Sequence, residues 1–457
     1  MSFKEVDNHT SDALQLLEEE NYDALTALLV DLHPVELTNL LTEAPPEQLD
    51  ELLKRVSGLD QIASLFTYGN DLIHQKAIAL LDDMRLAAVI RRVEFDDGAD
   101  VIALLPRRRQ ISVLRRVAPE TAREITKLLA YNEETAGGIM TTLFATLPPN
   151  LTAKEALEQI HIRLAEEDID PDTDIQYIYV VDGAECLEGI CSLRQILSAE
   201  PSTKLSELMS KNIVTVHPDD DQEKVARLIS DYDFYSIPVV APESDVLLGI
   251  ITVDDVLDVI EEEHTEDILK LAGTVEEDII GATVTTAVRS RLPWLVASCL
   301  GGLGGAVLLG QFETALQQIV TLAFFMPVVF GMAGNVGSQS STITVRGIAT
   351  GELSKYRTFA RLRKEIFTGF LLGIIFGSLL SSTSFALYRD LTLSLTVGLS
   401  ILLTMTSAAT FGAMLPVLFN KFKIDPAVAS GPLVTTSTDI LSITIYFSVA
   451  STLLLYL

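Results

Sequence analysis

Apolar positions along this chain change their period twice, and each change marks a new kind of structure. From about Ser11 to Leu129 they recur at helical spacing, in 25-LTALLVDL-32, 37-LTNLL-41, 49-LDELLKRV-56, 86-LAAVIRRV-93, 101-VIALL-105 and 111-ISVLRRV-117. Pro34, Pro45, Pro46, Pro106 and Pro119 sit near the first turn of a following helix, where a missing N–H does no harm. Short helices joined by proline turns predict a small superhelical solenoid, a scaffold for binding or regulation. Between Met140 and about Ile260 the period is mixed and a repeat emerges. The stretch 178-IYVVDGAECLEGICSLRQIL-197 aligns with 237-IPVVAPESDVLLGIITVDDVL-257, with one residue inserted in the turn. Each copy predicts strand, turn, strand and a helix capped by Ser192 or Thr252. Ahead of each copy, 144-FATLPPNLTAKEALEQI-160 and 213-IVTVHPDDDQEKVARLI-229 predict a short extended piece and then a helix.

The stretch 252-TVDDVLDVIEEEHTEDILKLAGTVEEDII-280 predicts one long acidic helix. At 3.6 residues per turn, Asp255, Asp258 and Glu262 share a stripe, Val256, Val259 and Ile260 form an apolar side, and Glu263, Glu266 and Asp267 form a second acidic group. Like charges at this spacing oppose a helix unless something neutralises them. A face solvated by water and a face that collects cations account for the run equally well.

Apolar runs then dominate, at about 292–310, 315–334, 366–388, 395–418 and 427–457. Each is long enough to cross a bilayer at about 20 residues per span. Their small-residue strings, 301-GGLGGAVLLG-310, 369-GFLLGIIFG-377 and 406-TSAATFGA-413, predict close helix packing. Two features break the apolar pattern. The segment 331-GMAGNVGSQSSTITVRGIATGE-352 places Asn335, Ser338, Gln339, Ser340, Ser341 and Thr342 at or just past the end of a span, a location tolerated only where the segment lines protein or water. The last span carries Asp439 behind the hydroxyls of Thr435, Thr436, Ser437 and Thr438, and a carboxylate inside a span is expensive and usually functional.

Charge sharpens the division. The 457 residues carry a formal net charge of −30, but from Arg289 onward the net is +5 and before it −35. Such an acidic module repels nucleic acid and attracts divalent cations. Arg346, Lys355, Arg357, Arg361, Arg363 and Lys364 follow span two, and Lys421 and Lys423 follow span four, which predicts a cytoplasmic N-terminus and an external C-terminus. The opening MSFKEVDNHTSDALQLLEEE reads as having no signal peptide. Cys186, Cys191 and Cys299 fit no metal or disulfide pattern and read as reduced packing residues.

The repeat resembles the tandem CBS domain, the second copy, from 208-LMSKNIVTV-216 to Leu257, more closely. CBS pairs bind adenine nucleotides or ions and do not catalyse, so the resemblance implies ATP as a candidate ligand, beside a purely structural role for both copies. Thr252-x-x-Asp255 suits ribose hydroxyls; Ser192-x-x-Gln195 in the first copy departs from that pattern.

Together, 327-PVVFGMAGNVGSQSSTITVRGIATGE-352, 431-GPLVTTSTDI-440, 261-EEEHTED-267 and 131-YNEETAGGIMT-141 resemble the MgtE family of magnesium channels. The similarity runs the length of the chain in one order: a helical N domain (1–130), tandem α/β CBS domains (131–260), a connecting plug helix (261–288) and a five-helix transmembrane domain (289–457). It implies a non-enzymatic, multi-pass protein of the inner cell membrane that forms a homodimer with the pore on the two-fold axis. Asp439 is then the central Mg2+ site, with Thr435, Thr436 and Asn335 lining the pore. The implied Mg2+-sensing residues are Asp221, Glu223, Asp233, Asp255, Asp258, Glu263, Glu266, Asp267 and Asp425, with Asp96 and Asp100 as looser matches.

The chemistry agrees with that implication. Mg2+ sheds water reluctantly, so carboxylates, hydroxyls and carbonyls that hold the hydrated ion suit permeation. The core pore segments contain no His or Cys to favour zinc or copper. A CBS-regulated coupled exporter using Asp439 as a proton or sodium relay is the alternative. A membrane-anchored nucleotide sensor is a third reading, but it needs neither Asp439 nor the polar string from Gly334 to Thr342.

Overall fold

The computed structural model describes residues 3–165, 176–274, 284–313, 317, 320–353, 355–429 and 431–456. The chain divides into two compact units, residues 1–262 and 263–457.

The first unit opens on α1 (Phe3–Glu18), α2 (Tyr22–Asp31), α3 (Pro34–Glu43), α4 (Pro46–Leu53), α5 (Leu59–Tyr68), α6 (Asp71–Leu80), α7 (Asp83–Ile90), α8 (Phe95–Ala103), α9 (Arg107–Leu114) and α10 (Pro119–Leu128). Pro34, Pro46 and Pro119 each start a helix, as expected. Odd-numbered helices stack in series, α3 on α5, α5 on α7 and α7 on α9, which gives the solenoid its layers.

The repeat folds as two matching halves. The first holds β1 (Thr146–Leu147), α11 (Ala153–Ala165), β2 (Tyr177–Val181), β3 (Leu187–Ser192), α12 (Leu193–Ser198) and α13 (Leu205–Leu208). The second holds α14 (Gln222–Tyr232), β4 (Ser236–Val240) and β5 (Leu247–Thr252), followed by α15 (Val253–Ala272). Both hairpins have one register: Tyr177 pairs with Ser192 and Val181 with Leu187, as Ser236 pairs with Thr252 and Val240 with Leu247, each with a shift before the last pair. The halves clasp reciprocally, the Leu187 N–H donating to the Asp245 carbonyl and the Leu247 N–H to the Glu185 carbonyl, both at 3.0 Å. One hydrophobic core runs from Leu86, Val89 and Ile102 of the solenoid through Ile229 and Ile251 to Val256 and Val259 of α15. The apolar side read on that helix is thus buried, which leaves its acidic stripe to face the solenoid's edge.

In the second unit, α16 (Val284–Gly310), α17 (Leu322–Ala349), α18 (Lys355–Tyr388), α19 (Leu391–Lys421) and α20 (Pro432–Tyr456) are long and apolar enough to cross a membrane. The fourth span is the hub, packing against α17, α18 and α20. Small residues permit this: a Cβ at Gly373 would lie 2.9 Å from the Leu402 carbonyl oxygen, and one at Gly412 only 2.2 Å from that of Gly337. Among the described residues nothing lies within 4 Å of a Cβ at Gly302, Gly304 or Gly310, so packing among those residues does not explain them.

Four expectations change. The second span does not end near 334; it begins at Leu322 and stays helical through the polar string to Ala349, because Gly337, Ser340, Ser341 and Thr344 are buried against neighbouring helices. The third span begins at Lys355, so its basic residues belong to the helix and not to a loop. The acidic helix ends at Ala272, where Gly273 adopts a left-handed φ of 75°; residues 275–283 of the expected plug lie outside the described residues. The three cysteines are free; Cys191 is buried, but Cys299 is exposed on α16 and not a core residue.

Candidate functional site

Pro432 opens α20 at a position where its missing N–H is harmless. On this helix Asp439 lies four residues beyond Thr435 and three beyond Thr436, so the three side chains project along one stripe. They border a cavity of about 320 Å³ whose opposite wall is built from Ser298, Gly301 and Gly305 of α16. Its volume accommodates on the order of ten waters. The glycines make the wall close: a Cβ at Gly301 would lie 1.8 Å from Thr436 Cγ2. Asp439 is half-buried and has no hydrogen bond or ion pair among the described residues. Thr438 turns away into the protein, buried against Gly337, where a Cβ would meet its methyl at 2.8 Å. Asn335 is exposed on α17 and does not border the cavity.

A second constellation is built where α8 meets α15. Asp96, Asp97 and Asp100 come from the first turns of α8, and Asp255 and Asp258 from the start of α15. Burial and mutual repulsion push these carboxyls up: Asp97 to about 6, against the Thr67 hydroxyl donated to it at 2.6 Å, and Asp255 to about 6 despite its bond from Thr252. Asp100, open to solvent on one side, goes to about 7 by desolvation with Asp97, Glu133, Glu262 and Asp255 nearby. Desolvation raises Asp96 well above the usual range, with Asp255 the largest charge acting on it, and its Oδ1 is buried without a hydrogen-bond partner. Asp258 is raised by desolvation and by Glu261 and Asp254. Such an array suits a divalent cation, which would relieve repulsion and supply the missing partner at Asp96.

A third group joins the end of α15 to the segment before α20. Lys270 Nζ pairs with Asp425 Oδ2 at 2.7 Å and also with Glu266, and desolvation and then Asp425 raise Asp267. Among the described residues no three His, Cys, Asp or Glu side chains converge as direct ligands of a bare ion. Water-mediated coordination of Mg2+ has no need of such tight convergence.

Comparison with known proteins gives this geometry its context. The sequence matches the families described as divalent cation transporter over residues 326–449, MgtE intracellular N domain over 32–134 and CBS domain over 136–202 and 205–262. It is 36% identical to the magnesium transporter MgtE of Thermus thermophilus over 96% of this chain and 97% of that protein. The chain belongs to the MgtE family of magnesium transporters. The Bacillus subtilis MgtE is 31% identical, with 98% of both chains covered. A crystal structure of the cytosolic domain of the Mg2+ channel MgtE in complex with ATP is 33% identical, covering 55% of this chain and 99% of that one, with a TM-score of 0.48.

As an MgtE-family member the protein is a multi-pass membrane transporter of Mg2+ and not an enzyme. The remaining residues singled out from the MgtE resemblance do not assemble into one cluster. Asp221 caps α14, accepting from the Glu223 N–H at 2.9 Å; Glu223 pairs with Arg227 at 2.8 Å; Asp233 ends the helix in a left-handed conformation. Asp221 and Asp233 therefore stand roughly 18 Å apart along the axis and cannot share an ion within one chain.

Two residues went unnoticed in the sequence. Glu365, 5% exposed inside α18, accepts from Ser340 Oγ at 2.7 Å and pairs with Arg361 at 2.7 Å, so part of the polar string anchors a buried carboxylate. Its placement four residues after Arg361 was the available signal. Lys270 was hidden as one basic residue in an acidic run.

Proposed function

We propose that the protein is a Mg2+ channel for uptake into the cytoplasm, with Asp439 as its central ion site, and that cytoplasmic Mg2+ closes it. The observation that carries the pore assignment is the Asp439 carboxylate, without a partner among the described residues, set in a span beside Thr435 and Thr436 and facing a cavity walled by glycines. Two copies of the chain, each with its N-terminus inside and C-terminus outside, would pair these carboxylates about the pore axis; Asn335, exposed on its own chain, joins the lining there. A hydrated ion is then held by charge without dehydration, which leaves it free to depart. The membrane potential drives uptake at about 2.3 kcal/mol per charge per 100 mV, doubled for a divalent ion.

Closure follows from linkage. The carboxylates of α8 and α15 repel one another when brought together, so Mg2+ that bridges them favours the compact arrangement in proportion to its concentration. Glu263, Glu266, Asp267 and Asp425 act alike at the other end of α15, with Asp221, Glu223 and Asp233 contributing across the dimer. ATP is a ligand for the second CBS copy, where it would compete with the Thr252–Asp255 hydrogen bond.

The test is current through voltage-clamped patches of membrane holding the full chain. Mg2+ current driven by voltage alone in Mg2+-free cytoplasmic solution, and falling as Mg2+ is added there, is expected. No current under those conditions defeats the channel reading; a flux that requires a proton or sodium gradient favours the exporter.

A further inference from the structure

Lys270 occupies the last turn of α15, on the same face as Glu266 one turn earlier. Its ammonium donates to Asp425 Oδ2 at 2.7 Å and also pairs with Glu266, so one positive charge spans the end of α15 and the segment leading into α20. Asp425 is itself fixed, since its Oδ1 accepts the Ala427 N–H at 2.8 Å in the short 3-10 turn before the last span. Immediately beyond Lys270 the backbones meet. Gly273, with φ of 75°, lies so near Pro432 that a Cβ would sit 3.1 Å from its ring, and a Cβ at Gly431 would lie 2.9 Å from the Leu271 carbonyl oxygen. The end of α15 is therefore seated on the head of the helix that carries Asp439, and the ion pair lies beside that seat.

The surroundings explain why a fixed cation matters there. Glu263, Glu266, Asp267 and Asp425 are all acidic, and an α15 end without Lys270 would bring like charges together each time it docked.

We propose that Lys270 is a built-in cation that latches the end of α15 to Asp425 and so supplies part of the closed state without Mg2+. The ion then completes a contact that the chain has already begun, and the Mg2+ concentration for closure is set partly by one lysine. This rests on the gating reading above.

Open probability of the full-length channel at the Mg2+ concentration that half-closes the unaltered chain tests the latch. Lys270→Gln is expected to raise the open-to-closed ratio about threefold, the scale of a partly exposed ion pair, with unitary conductance unchanged. Lys270→Arg retains closure. Asp425→Asn, which removes a sensing carboxylate as well as the latch, opens the channel at least as far, and Lys270→Gln added to it opens the channel no further. If Lys270→Gln leaves the ratio unchanged, or closes the channel at lower Mg2+, the lysine is a bystander or a competitor and the latch is overturned. An unaltered chain that ignores cytoplasmic Mg2+ would instead defeat the gating reading itself.

Discussion

At the scale of the residue, a carboxylate's meaning depends on its partners. Asp439 has no partner among the described residues, whereas Glu365, also inside a span, is bonded by Ser340 and Arg361. Asp439→Ala is therefore expected to reduce Mg2+ flux by at least about tenfold while the folded protein survives, since removing an uncompensated charge from a span relieves a cost; flux into liposomes alongside thermal unfolding checks both halves. Full flux would remove Asp439 from the pathway. The carboxyls shared by α8 and α15 give a pH dependence. Their values when docked, about 6 for Asp97 and Asp255 and about 7 for Asp100, lie above the ordinary carboxylate range of the separated state. Docking is accordingly favoured at low pH, and that stability is lost as pH rises from the ordinary range through about 7. In Mg2+-free buffer, the docked-to-undocked ratio is expected to rise on the order of tenfold from pH 8 to pH 6, one pKa unit being worth a factor of ten. Distance measurements between labels on α8 and α15 read this directly, and a flat profile would show that the carboxylates do not oppose docking. Sequence reasoning found Asp439 because a lone acid stands out in an apolar run. It passed over Lys270 and Glu365 because their importance lies in contacts with Asp425 and Ser340 that no local pattern encodes.

Elements were legible wherever one period ruled. Proline-started helices, both hairpins and the five spans follow from spacing and from the aversion of lipid to unpaired backbone groups. Boundaries were less so. The polar string of α17 looked like an interruption because its residues are hydrophilic, yet it is helical because helix neighbours, not lipid, surround its buried face. The crossing of α17 and α19 depends on this face. At Gly412 an added methyl would meet the Gly337 backbone, which cannot swing aside as a side chain can. Gly412→Ala is expected to destabilise the membrane unit by about 2 kcal/mol or more. Gly304→Ala, with open space around it among the described residues, should leave stability within about 0.5 kcal/mol. Thermal unfolding of the two variants in detergent compares them, and equal stability would mean that the crossing can spread to admit a side chain.

For the whole molecule, the division of charge has a consequence for regulation. Neutralising Asp255, Asp258, Glu263 and Glu266 together should move the Mg2+ inhibition curve to higher concentration, by about tenfold if even one bridging ion is weakened by 1.4 kcal/mol. Patch currents over a cytoplasmic Mg2+ series measure the shift, and an unchanged curve would make the acidic run a solvated face. By itself the sequence determined the solenoid, the paired repeat, the five spans and the presence of a costly carboxylate in the last of them, because each follows from the spacing of apolar groups and the solvent they must meet. Tertiary structure decided which charges act together. It sets Asp96, Asp97 and Asp100 against Asp255, it turns Thr438 inward while Thr436 borders the cavity, and it places Lys270 on Asp425, 155 residues away. Electrostatic coupling depends on distance through space and on burial, and only the folded chain fixes either.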